Sequence, residues 1–119
     1  YRKMTDEMID ICYQYGKTAS GSRSIHDLAR EIAERTGMNQ NSAIMYLYAV
    51  NGMLNGTVYK RAINSKATHR YLERILDEFG KEGLKKALKA MRLHIDYRKA
   101  CGHTVDSLEE IYEQHNGRI

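Results

Sequence analysis

REIAERTGMNQNSAIMYLY, residues 30–48, decides the fold. Ile32 and Ala33 continue an apolar stripe begun at Ile25, Leu28 and Ala29, at the three-and-four spacing of one helical face. Gly37 interrupts it, and a second stripe opens with Ala43, Leu47, Val50 and Leu54. The pattern predicts helices over 25–36 and about 40–54 around a corner at Gly37, because glycine takes the left-handed position that ends a helix without steric cost. Between the corner and the second stripe stand Asn39, Gln40, Asn41 and Ser42, four hydrogen-bonding side chains opening an otherwise apolar helix. One of them, Asn39 or Asn41, suits an N-cap.

Outward from this corner the chain reads as helical throughout. Its 119 residues fit one domain, and 42% hydrophobic with 29% charged residues suits a folded core with a solvated surface. Proline, the residue that breaks helices, is absent. Met8, Ile11, Cys12 and Tyr15 mark a first helix, with Asp6, Glu7 and Asp10 toward its start and Gly16 as its stop. KTASGSRS, residues 17–24, has no periodicity and reads as a mobile loop, with Ser24 capping the helix that follows. TVYKRAIN, residues 57–64, admits two readings, a short extended wing or a helical connector.

Beyond it, Ser65 caps a helix with Thr68, Tyr71, Leu72, Ile75, Leu76 and Phe79 on one side, stopping at Gly80. A helix over 81–100 turns Leu84, Ala87, Leu88, Met91 and Ile95 inward and ends at Gly102. Ser107 with Glu110 opens a last helix carrying Leu108, Ile111, Tyr112 and His115. The expected fold class is all-α, one compact multi-helix domain over 1–119, with at most a two-stranded wing.

No stretch reaches the ~18 apolar residues of a membrane span, so a cytoplasmic protein is expected, with no membrane partner. The first residue is Tyr1 rather than Met, which suggests a domain excised from a longer protein. Cys12 and Cys101 read as free thiols in a reducing compartment, with a disulfide as the lesser alternative.

Two helices joined by a short glycine-containing turn describe the helix-turn-helix unit, in which the first turn of the second helix meets the major groove. The resemblance to that family is carried by AREIAERTGMN, residues 29–39, with Ala33 at the small residue of the first helix and Gly37 at the glycine of the turn. The match departs at Ala43 and Tyr46, which stand where the family places branched or other aliphatic residues. The resemblance implies double-stranded DNA as partner. Asn39, Gln40, Asn41 and Ser42 are then candidate base readers, since amides pair with adenine and hydroxyls with bases or phosphates. Met45 would touch a thymine or methylcytosine methyl. Tyr46 has two readings, a contact to sugar-phosphate or an extruded base, and a core aromatic with its hydroxyl reaching water. The competing reading makes one Asn a cap and leaves its neighbours to solvent.

Charge adds a second argument. The formal net charge is +4 and the pI about 9.1. Residues 81–99 carry seven Lys or Arg against Glu82 and Asp96, whereas DSLEEIYEQH, residues 106–115, carries four acids and no Lys or Arg. Lys85, Lys89 and Arg92 are spaced to follow phosphate oxygens, and Lys60 and Arg61 lie close behind the second helix. Such a run also serves as an ordinary solvated helix face.

A broader resemblance covers residues 51–97, through MLNGTVYKRAIN and FGKEGLKKALKAMRLHIDY, which look like helical regions preceding HNH-type nuclease domains of restriction-like proteins. It implies the DNA-reading part of an endonuclease, with the catalytic part elsewhere; sensitivity to cytosine modification would come from Met45.

Within these residues no catalytic constellation stands out, and neither cofactor nor metal is expected. Cys101, His103, His94 and His115 have ligand atoms but no ligand spacing. His26 with Asp27, and His94 with Asp96, are too close along a helix to face each other. The rival from another class is a helical interaction or oligomerisation module, a homodimer in which the basic 81–99 stretch meets the acidic 106–113 stretch of a second copy.

Overall fold

The computed structural model describes residues 4–19 and 24–119, which form five α-helices and no strand. The chain divides into two compact units, one running to Asn51 and one from Gly52 to Ile119.

In the first unit α1 spans Asp6–Lys17, capped by the Thr5 hydroxyl, which accepts from the Met8 N–H at 3.1 Å. Its buried face is Met8, Ile9, Cys12, Tyr13 and Gly16, rotated from the expected one; Ile11 and Tyr15 are only half-buried. Helical spacing alone allows both faces, because apolar residues flank the Met8–Cys12 line on each side. Gly16 selects between them. It does not stop the helix but lies inside it against Val50, where a β-carbon would stand 2.6 Å from Val50 Cγ1. The loop expected over 17–24 is described only at its ends, since 20–23 lie outside the described residues.

Helix α2 spans Ile25–Thr36 and is capped by Ser24, whose hydroxyl accepts from the Asp27 N–H at 3.1 Å. Leu28, Ala29 and Ile32 are its buried residues, while Ile25 and Ala33 stay half-exposed. Tyr15 ties α1 to α2 from the rim: its hydroxyl donates to Glu31 at 3.0 Å and accepts from Arg35. Gly37 has φ 76° and ψ 8°, the left-handed conformation the sequence demands, with its N–H on the Ala33 carbonyl. Gly37→Ala should therefore cost about 1–2 kcal/mol. Urea unfolding would check this, and unchanged stability would contradict the backbone argument.

Helix α3, Gln40–Asn55, buries Ala43, Tyr46, Leu47, Ala49, Val50 and Met53; Leu54, expected inward, is half-buried.

In the second unit Gly56 turns the chain out of α3 with φ 72°, and the Thr57 N–H returns to the Gly52 carbonyl at 3.0 Å. The wing is not formed. Residues 57–64 are irregular, fastened by Tyr59, which is buried and stacks its ring on His94 at 4.1 Å while its carbonyl accepts from His94 Nδ1–H. The Tyr59 hydroxyl is buried without a hydrogen-bond partner. Tyr59→Phe should then be neutral or stabilising, by up to about 1 kcal/mol, in a melting experiment, and a clear loss would reveal an acceptor.

Helix α4, Ser65–Ala100, is capped by Asn64 rather than Ser65, the Asn64 Oδ1 accepting from the Ala67 N–H at 2.7 Å. It is broken at Gly80, with φ 72° and ψ −165°, into the two expected segments. The first buries Ala67, Thr68, Tyr71, Leu72 and Ile75, but Phe79 is 50% exposed. The second buries Leu84, Ala87, Leu88, Met91 and Ile95 as expected, with Ala90 and His94 in addition. Helix α5, Asp106–Asn116, starts one residue before the expected Ser107 cap and has no side-chain cap; Ile111 and His115 are its buried residues.

Candidate nucleic-acid interface

The corner residues sort themselves by burial. Asn39 lies in the turn, and its Oδ1 accepts from the Ser42 N–H at 3.1 Å, so it caps α3. Gln40 and Asn41 are exposed on the first turn, Ser42 and Met45 are half-buried, and Tyr46 is 5% exposed. The Tyr46 ring thus belongs to the core. No acidic residue occupies the first turn of α3, whereas α1, α2 and α5 each carry one or more there. The positive end of the α3 dipole is therefore not neutralised by its own first turn.

The second unit holds the basic candidates. Lys60 and Arg61 are exposed in the 57–64 segment, with Lys60 Nζ 5.6 Å from the Tyr97 ring centroid. Lys85 and Lys89 are exposed on α4, Lys85 being 3.3 Å from Glu82. Arg92 is committed differently. It pairs with Glu109 of α5 at 2.5 Å and Asp96 at 3.2 Å, and its guanidinium lies 5.1 Å from the Tyr112 ring centroid. The basic and acidic stretches thus already meet within one chain, at least at this pair. Lys85, Lys89 and Arg92 line an open groove of about 320 Å³ together with Leu88, Leu93 and Tyr112.

Three polar arrangements escaped the sequence reading because each joins residues distant in the chain. They are the Tyr15–Glu31–Arg35 cluster, the His94–Tyr59 carbonyl bond, and a contact of His69 Nδ1 with His115 Nε2 at 2.9 Å. The only signal for the last two was positional: His94 and His115 fall on the apolar stripes of their helices. Burial, the larger effect, lowers the His94 pKa from its ordinary value, opposed by the Tyr59 carbonyl and aided by Arg98.

Cys12 and Cys101 are unpaired. Burial pushes the Cys12 thiol up to about 12, and its Sγ lies 3.8 Å from Met38 Sδ, so it is a packing residue. Among the described residues no group of three His, Cys, Asp or Glu side chains is placed to hold a metal, and no helix is long and apolar enough to cross a membrane. No protein family, curated protein or solved structure matches the chain.

Proposed function

We propose that the chain recognises double-stranded DNA through the α2–Gly37–α3 corner, with Gln40, Asn41 and Ser42 presented to base edges. The observation that carries this is the division of labour on α3. Gln40 and Asn41 project from the first turn into solvent, while Ala43, Leu47 and Val50 are wholly buried one turn on. Asn39 acts as the cap that fixes the turn, Met45 stands at its edge, and Tyr46 supports it from the core. Lys85 and Lys89, with Lys60 and Arg61, supply phosphate attraction, which needs charge but no fixed geometry. Arg92 is left out of that role, because Glu109 and Asp96 already hold it. Membership of a restriction-like nuclease rests on the resemblance of residues 51–97 alone, and sensitivity to cytosine modification on a methyl contact from Met45.

The test is fluorescence anisotropy with a duplex selected from a random library and with altered duplexes, some carrying modified cytosine, at one salt concentration. Gln40→Ala or Asn41→Ala should leave melting unchanged but reduce the preference for the selected duplex about tenfold, ~1.4 kcal/mol. Lys85→Gln with Lys89→Gln should instead weaken every duplex alike and lower the slope of log affinity against log salt by about 2. Equal affinity ratios across the folded corner variants would remove the base-reading role.

The rival reading, an interaction or oligomerisation module, is favoured by one feature, the open groove between α4 and α5 with Leu88, Leu93 and Ile119 in its lining. Its charge argument is weaker, since the Arg92–Glu109 pair is satisfied within the chain. Sedimentation showing a homodimer that dissociates on Leu93→Glu would support it over DNA recognition.

A further inference from the structure

We infer that the His69–His115 pair is an acid-operated latch that holds the C-terminal part of α5 against the first segment of α4 and releases it as pH falls below the ordinary histidine range.

The hydrogen bonding fixes which protons the pair can carry. Arg118 Nη1 lies 3.5 Å from His115 Nδ1, and a guanidinium has only donors, so His115 Nδ1 must be the acceptor. A neutral imidazole has one N–H, which on His115 is then at Nε2. That N–H points at His69 Nδ1, 2.9 Å away, so His69 Nδ1 must also be an unprotonated acceptor. Both acceptor nitrogens are thus occupied. A proton arriving at His115 Nδ1 would face Arg118, which replaces an attraction by a repulsion.

Location makes the pair a latch. His115 is 2% exposed, and the rings belong to separate helices. The charges around them do not restore balance. On α4, Glu73 favours the protonated form of His115, with Lys66 and Arg70 near His69 along the helix; from the C-terminal side Arg118 opposes it. Burial first, then His69 and Arg118, hold the His115 pKa below its ordinary 6.5. A folded-state value below the unfolded one means that this contribution is present above 6.5 and is lost as pH falls through the lower folded value. The start of α5 stays tied by Arg92 to Glu109, so the loosening is confined to the His115 end.

The experiment is amide hydrogen exchange on the full chain, corrected for intrinsic rates, at about pH 7.5 and about pH 5.5. In the parent chain the opening constant of amides near His115 should rise severalfold at the lower pH, toward the roughly tenfold ceiling that one histidine can contribute one pH unit below its ordinary 6.5. His69→Gln keeps an acceptor for the His115 Nε2–H without the imidazole, and Arg118→Met leaves His115 Nδ1 free to accept a proton while Nε2–H still donates. Either should give a smaller rise than the parent chain, with the part due to burial remaining. Three results would overturn the latch. They are no rise in the parent chain, an undiminished rise in both variants, and an equal rise in the amides of 81–100, which would assign the effect to buried His94. Loss of the parent chain's response on adding EDTA would overturn it too, by making the pair a metal site.

Discussion

Gly16→Ala should destabilise the first unit by about 2 kcal/mol, against the sign that helix propensity gives. In an exposed helix interior the change from Gly to Ala stabilises by up to about 1 kcal/mol. Here the new methyl would stand 2.6 Å from Val50 Cγ1 and 2.8 Å from Val50 Cβ, distances at which something must move. Val50 is fully buried on α3, so the side chain has nowhere to turn, and α1 must back away from α3. Overpacking of this kind costs about 1–3 kcal/mol, occasionally more, which outweighs the propensity gain. Gly16→Val, with two further carbons and a poorer helix propensity, should cost more than about 3 kcal/mol. The decisive measurement is a double-mutant cycle. Val50→Ala alone destabilises by leaving a hole, but with Gly16→Ala it should recover most of the loss, a coupling of about 1 kcal/mol or more in urea unfolding. Additive losses would show that Gly16 does not set the helix spacing.

The same residue shows why parts of the fold were legible in the sequence and parts were not. A stop glycine and a contact glycine have the same letter; only the position of Val50, far along the chain, distinguishes Gly16 from Gly37. Where one periodic stripe dominated, as at Leu84, Ala87, Leu88, Met91 and Ile95, the buried face was readable directly. Where two stripes competed, as in α1, packing chose the unexpected one. Caps slipped where a neighbour offered a better geometry, Asn64 in place of Ser65, or where backbone alone started the helix, as at Asp106 in place of a cap at Ser107. The corner itself was legible because its signals are local. Gly37 supplies the positive φ and Asn39 the cap, whereas Tyr46 admitted both a DNA contact and a core role from the sequence, and its burial, which selects the core, depends on residues outside the stretch. Arg92 likewise looks like any surface cation until α5 brings Glu109 to it.

Gly80→Ala should cost about 2–3 kcal/mol, and for a reason unlike that at Gly16. A β-carbon at Gly80 would meet nothing within 4 Å, so no side chain resists it. The obstacle is the backbone, whose φ of 72° with ψ of −165° lies in a region essentially reserved for glycine, at a strain of about 1–3 kcal/mol for other residues. Alanine has an escape in principle, since it would favour joining the two segments into one straight helix. A straight α4 of 36 residues would be roughly 54 Å long. Tyr71, Leu72 and Ile75 on one half and Leu84, Leu88 and Met91 on the other would then lie along one axis and could not share a core. Exposing each costs about 1.5–3 kcal/mol, far more than the local strain, so the break should persist in the variant at reduced stability. Helix content by circular dichroism should accordingly stay constant while the unfolding midpoint drops. A mirror-image control isolates the cause: Gly80→D-Ala, made by peptide ligation, places its methyl where positive φ is comfortable and should be neutral or stabilising. Equal losses for the two alanine enantiomers would transfer the effect from the backbone to the space around it, and a rise in helix content for Gly80→Ala would mean that straightening had won.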